Sequence, residues 1–427
     1  MPSTTKRLSE FISSREIIAR DLERAALLLL DWTGCAIAGR SEPFGQKLTD
    51  TFKAPAGPCT RIGASPAALQ MAAFHNGCLG NILEMDDVDK RAVLHAAPTV
   101  IPAALAMHEH VGASSEAMLR AIIIGYDVTI RIGRAVGPGH YAYWHNTATC
   151  GPFGAAAAVC YLLGGSDMTA ALGLAGTQSA GLWQTRHEPD SDAKQIHAGN
   201  AAQIGVMAAM MSAQGIKGPR EILEGPQGFF AAMCPGANPE DIFKDYGDEW
   251  LIHQTSIKPY AACRHAHAAI DAALMAELSS GDILIETYDD AIKFCDRAAP
   301  SPGREAKFSL QHCVAFTLMN GHAPGLNDFD VRALEKTSAI RQKITVKAAG
   351  EFNAAYPSHY GAAVTSGGKR HVAKDALGDP ERPLSKDDIL DKAFRLYEHA
   401  GHSRAQAKTA LNDFLSPHIT QLLKLDS

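Results

Sequence analysis

The sequence predicts a mostly helical protein, with a large helical domain built from both chain ends and a smaller α+β insertion between them. Three observations carry this. Apolar residues recur at helical spacing through the first 250 residues; β-branched, partly alternating runs appear only after that; and a helical pattern resumes beyond Pro383. The expected boundaries are 1–254 with 381–427 for the helical domain and 255–380 for the insertion. A cleft between the two is the natural place for a ligand.

In chain order, Arg15–Ala38 carries Ile17, Ile18, Leu22, Ala25, Leu28, Leu29 and Trp32 on one helical face and stops at Gly39. Ser65-Pro66 reads as an N-cap followed by proline at the first helical position, opening a helix over 67–83. Further helices are expected at 98–110, 115–136, 153–163, 168–182 and 198–214. Their Ala- and Gly-rich composition permits close helix approach. Residues 283–294 and 340–346 read as strands, 308–319 as a helix between them, and 362–365 as a further strand. Ser385 is the expected N-cap of the final helical stretch.

The composition is that of a soluble chain, 46% hydrophobic and 20% charged, with a formal charge of -6. An acidic balance argues against nucleic acid or an anionic membrane as a partner, since both select basic patches. No apolar run reaches the length of a membrane span, and the start of the chain has no signal-peptide core, so a cytoplasmic location is expected. The nine cysteines are scattered and never form CxxC, which disfavours a disulfide framework or a zinc ribbon. No GxxxxGK[ST], strand-to-helix GxGxxG or GxSxG is present.

Four segments place polar residues where a bundle wants apolar ones. Glu84-Met85-Asp86-Asp87-Val88-Asp89, followed by His95, is an acidic cluster after an apolar helix; there it would oppose the macrodipole. The segment from His140 to Thr149 holds Tyr143 and His145 just before an expected helix N-terminus, a place suited to anions. Lys194 and His197 lead into the next small-residue helix, where an ammonium can clamp a carboxylate. Lys258 to His267 contains Cys263 and a His-x-His. On a helix that spacing splays the rings about 200° apart, so no metal site is expected.

Together these segments, in this order, resemble the MmgE/PrpD family, which includes 2-methylcitrate dehydratases, cis-aconitate decarboxylases and iminodisuccinate epimerase. The correspondence continues through Lys307–His312 and Gly378–Ser385 and covers nearly the whole chain. The resemblance implies a large helical domain, a smaller α+β lid domain, a homodimer and a site without cofactor or metal. His95, His145 and Lys194 match positions lining the family's site, and Asp87 a widespread acidic position. The chain departs from the decarboxylase pattern at Glu84, Val88, Cys263 and His312, and the register around His95 carries a one-residue insertion. Decarboxylation is therefore the least favoured of the family's activities.

The expected reaction is proton abstraction beside a carboxylate of a small di- or tricarboxylic acid. Loss of water follows as in a dehydratase, or reprotonation on the other face as in an epimerase. His145 and His95 are the expected acid–base pair, Lys194 the carboxylate clamp, and Asp87 an orienting group. Glu84, Tyr143, His197, Cys263, His267 and His312 complete the set as candidate substrate contacts. A Mg²⁺-dependent isoprenoid synthase is disfavoured, because Asp86-Asp87-Val88-Asp89 lacks the DDxxD spacing. A catalytically idle binding protein is the competing reading from another class.

Overall fold

The computed structural model describes residues 3–52, 56–188, 191–244 and 248–423. The chain is mostly α and divides into two compact units. One comprises residues 1–82, 86–255 and 385–427, the other residues 83–85 and 256–384.

The first unit is helical. It contains α1 (Thr4–Ser14), α2 (Ala19–Ser41), α3 (Pro43–Thr51), a small hairpin of β1 (Cys59–Arg61) and β2 (Ala64–Ala67), α4 (Leu69–Gly80), α5 (Ala97–Val111) and α6 (Ser115–Ala135). It continues with α7 (Gly137–Tyr141), α8 (Asn146–Leu162), α9 (Met168–Gly176), α10 (Ala193–Ala213) and α11 (Phe229–Met233). Its centre is made of small side chains: Ala72 and Ala73 of α4, Ala103 and Ala106 of α5, Ala155 and Ala156 of α8, and Ala202 and Ala209 of α10 share one buried cluster. Small residues let these helices pack backbone to backbone. At Gly199 a Cβ would stand 2.3 Å from Cys78 Sγ and 2.4 Å from the Phe74 carbonyl, so α10 crosses α4 at a point only glycine fills.

The second unit holds α12 (His267–Leu274), β3 (Ile283–Thr287), α13 (Asp289–Cys295), α14 (Leu310–Asn320), α15 (Val331–Arg341), β4 (Ile344–Ala348), α16 (Gly350–Ala355), β5 (Ala362–Ser366) and β6 (Lys369–Ala373). The sheet order is β4-β3-β5-β6. β3 and β4 are parallel, as their long helical crossover requires; β5 and β6 are antiparallel, turned by Gly367 and Gly368, both at positive φ. The chain then returns to the first unit as α17 (Lys386–His399) and α18 (Arg404–Leu422). Ser385 caps α17, accepting from the Asp388 N–H in a capping box. Buried Lys392 of α17 meets buried Asp31 of α2 at 2.6 Å, tying the returning helix to the first ones.

The structure differs from the sequence expectations at several elements. Ser65-Pro66 lies in β2 rather than capping a helix, and α4 begins only at Leu69. The run 283–294 is one strand and one helix, because Asp289 and Asp290 open α13 at its favourable N-terminal end. α8 and α10 begin at Asn146 and Ala193, ahead of the expected starts at 153 and 198, and α9 ends at Gly176 rather than 182. Among the described residues no helix is long and apolar enough to cross a membrane.

Candidate active site

In the helical unit the site is built from the irregular segment 86–96 and the starts of α5, α8 and α10. The Asp89 and Leu94 backbones bond each other across a short loop, and Arg134 of α6 forks onto the Asp89 carboxylate. This clamp holds Val93 at φ 51, a left-handed conformation that strains a β-branched residue. His95 follows directly. Its Nδ1 lies 2.7 Å from the Asp87 carbonyl and 3.0 Å from Asp86 Oδ2, which also accepts from Asn81 at 2.7 Å. Both neighbours of Nδ1 are acceptors, so Nδ1 carries the hydrogen and Nε2 of the neutral ring is the basic nitrogen.

Asp87 does not orient the histidine with its carboxylate. Its Oδ1 accepts the Ala97 N–H at the start of α5, 3.1 Å away, and only its backbone carbonyl serves His95. The acidic segment thus meets the positive end of α5, reversing the dipole conflict expected from a helix running to 83. Burial, and next the Asp86 charge, push the Asp87 carboxyl up to about 7, against the pull of the Tyr126 hydroxyl and the Ala97 N–H. Asp86, not anticipated from the sequence, is the carboxylate that faces His95.

His145 immediately precedes α8 and is 2% exposed. Its N–H donates to the Gly181 carbonyl, and its ring lies 4.4 Å from Trp183. Its Nδ1 is 3.3 Å from His197 Nδ1 on α10, and Lys194 occupies the first turn of that helix. Burial holds the His145 ring well below the ordinary histidine range, and Lys194, His197 and His95 add to this; the Asp86 charge opposes it. His197 is depressed by burial and then by Lys194. His95, His145, His197, Lys194 and Asp86 are therefore one electrostatically connected group.

The contact between the two Nδ1 atoms has a chemical consequence. One ring donates its Nδ1–H and the other accepts, so in the neutral pair the donor ring has a bare Nε2 and the acceptor ring an Nε2–H. One base and one acid sit side by side without a net charge.

In the second unit a further group forms around Glu84 and Cys263. Glu84 is 4% exposed with φ 60, another non-glycine residue in the left-handed region. The Lys258 ammonium, 1% exposed, donates to the Glu84 carbonyl at 2.8 Å, and Lys307 donates to the Leu83 carbonyl at 3.2 Å. The Cys263 N–H donates to the Lys307 carbonyl. Its thiol is drawn below the ordinary range, first by a hydrogen bond from Cys295. The His265 N–H and Lys258 add to this, against burial and the Glu84 charge. Lys258 is a second residue the sequence reading passed over; its signal was a lysine opening an otherwise apolar stretch.

Three candidates stand outside both groups. Tyr143 is 70% exposed. His267 begins α12 fully buried, with Nε2 on the Ala262 carbonyl. His312 is buried with Nδ1 on Thr337 Oγ1 and Nε2 on the Asp328 carbonyl, both nitrogens committed to holding α14 in place. The His265 ring is engaged by the Tyr288 hydroxyl, so the His-x-His pair is used in packing. Among the described residues, one set of donors with metal-like spacing is His359, Asp375 and Glu381, where His359 Nδ1 already bonds Asp375 at 2.6 Å.

These features mark a mostly helical, two-unit protein with a histidine- and lysine-lined polar site. The chain belongs to the MmgE/PrpD family: the MmgE/PrpD N-terminal domain matches residues 6–242 and the MmgE/PrpD C-terminal domain residues 260–416. The second match runs into α17 and α18, which pack in the helical unit, so sequence domains and compact units do not coincide. The chain is 30% identical to a cis-aconitate decarboxylase-like protein of Aspergillus oryzae, over 60% of this chain and 57% of that protein. It is 30% identical to cis-aconitate decarboxylase of Aspergillus terreus, over 61% and 57%, and 25% identical to the human cis-aconitate decarboxylase, over 75% and 71%. The chain thus covers less than two thirds of the length of the fungal relatives.

Proposed function

We propose that the protein is a lyase that needs no cofactor or metal and moves a proton at the carbon beside a carboxylate of a small di- or tricarboxylic acid, with loss of water as the outcome. The observation that carries this is the convergence of three histidines, Lys194 and the starts of α5, α8 and α10 on one polar group. Removing an α-proton places charge on the adjacent carboxylate, so the site must present cations and donors where that charge grows. Lys194 and the helix N-termini supply them.

A histidine with a bare Nε2 takes the α-proton. The electron pair forms the carbon–carbon double bond as the β-hydroxyl departs with a proton from the neighbouring Nε2–H, leaving as water. Asp86 holds His95 in one tautomer, ready to act in either direction. Epimerisation uses the same base, with a second protonated group returning a proton to the opposite face. Decarboxylation is the second reading, favoured by the relatives named above: there a histidine protonates the carbanion left by carbon dioxide. A homodimer is part of the same proposal.

The test is a panel of hydroxy- and unsaturated di- and tricarboxylates followed by proton NMR, with released carbon dioxide measured in parallel. An unsaturated product without carbon dioxide supports dehydration, and carbon dioxide release supports the second reading. No conversion of any member refutes the proposal.

A further inference from the structure

Arg264 is one of the most deeply buried charges in the second unit, 6% exposed. It pairs through Nη2 with Asp379, which is fully buried. Asp379 is itself held on both oxygens, Oδ1 accepting from Ser256 Oγ at 2.5 Å and Oδ2 from the Ala376 N–H at 3.3 Å. The ion pair does not satisfy the guanidinium: Nε, Nη1 and Nη2 are all buried without a hydrogen-bond partner. Buried polar groups in folded proteins are nearly always paired, and an unpaired one calls for a ligand, an ion or a water. A guanidinium offers its donors as a planar fork matched to a carboxylate.

The surroundings fit an anion. Arg264 directly follows Cys263, whose backbone is tied to Lys307, and buried Lys258 lies in the same group. Two tyrosines, Tyr288 and Tyr360, are near enough to act on the Arg264 charge. Asp379 neutralises one unit of charge and anchors the guanidinium at Nη2, so the group is held in place before any ligand arrives.

We propose that Arg264 is a carboxylate-binding residue, whose guanidinium donates to one carboxylate of a di- or tricarboxylic ligand through the fork left open beside its ion pair with Asp379. This rests on the reading of the protein as acting on polycarboxylates and adds a binding residue to it.

The test uses tricarballylate and succinate, saturated acids with no leaving group to eliminate, titrated into the full-length protein by calorimetry. Arg264→Lys keeps the charge and the partner for Asp379 but loses the fork, and should weaken tricarballylate binding about tenfold or more. Arg264→Met with Asp379→Asn removes both charges together, sparing the fold an unpaired buried carboxylate, and should abolish binding. Thermal melts confirm that each variant is folded. Wild-type affinity in folded Arg264→Lys, or in the folded double variant, would overturn the assignment. Absence of binding by the wild-type protein would instead overturn the polycarboxylate reading, and this assignment with it.

Discussion

At the scale of single residues, Lys194 and His145 carry separable predictions. Lys194→Ala removes the proposed carboxylate clamp and should weaken transition-state binding for every substrate by roughly 2–4 kcal/mol. It also removes a positive charge that depresses His145 and His197. Their pKa values must rise, so the acidic limb of the kcat/KM profile should move to higher pH; a fixed limb would detach Lys194 from these rings. His145→Ala should lower kcat about 10²–10⁴-fold, the usual range for a lost general acid or base. In the sequence, His95, His145 and Lys194 are singled out together by the resemblance to the MmgE/PrpD family; from its neighbours alone Lys194 reads as an ordinary surface lysine. Asp86 could not be told from Asp87 there: neighbouring carboxylates have the same composition, and only the turn after α4 decides which faces the ring. His312 shows the converse, a conspicuous histidine consumed by Thr337 and the Asp328 carbonyl.

At the scale of elements, α10 positions Lys194 and His197, and it does so through its crossing with α4 at Gly199. Gly199→Ala should destabilise the protein by roughly 1–3 kcal/mol through overpacking. It should also disturb turnover more than an alanine at an exposed position of the same helix, measured by chemical denaturation and by kcat. Helix existence was legible from apolar spacing, but helix starts were not. α8 begins at Asn146 rather than 153 and carries Pro152 in its interior, where the Ala148 carbonyl loses its i+4 donor, so tertiary packing and not local preference sets this start. Segment 283–294 misled for a different reason. Beyond Thr287 only Ile292 is β-branched, and Asp289 and Asp290 start a helix there.

At the scale of the whole molecule, buried histidines set the response to acid. His75, His140 and His265 are held at about 4 by burial, against 6.5 in the unfolded chain. Between those values the unfolded state binds more protons, so their contribution is intact above pH 6.5 and is lost as pH falls towards 4. Asp87 runs the other way: raised to about 7, it favours the folded state below that pH and disfavours it above. Three histidines outweigh one carboxyl, and Tm should fall steadily from pH 6.5 to 4; a flat profile there would contradict the burial of these rings. The mostly helical class and the insertion of an α+β segment between helical ends were readable from periodicity alone. The return of α17 onto α2 through Lys392 and Asp31 was not, because a buried lysine looks like any other until its partner is placed.

The central claim is proton transfer beside a carboxylate by neutral histidines, and solvent deuterium tests it most directly. Chelator-treated protein is incubated in D₂O with each polycarboxylate of the panel, and the recovered acids are read by proton NMR and mass. At least one acid should gain deuterium at the α-carbon or leave as an unsaturated product, with His145→Ala slower by about 10²-fold or more. Neither exchange nor product from the wild-type protein, or an undiminished rate in His145→Ala, would contradict the account.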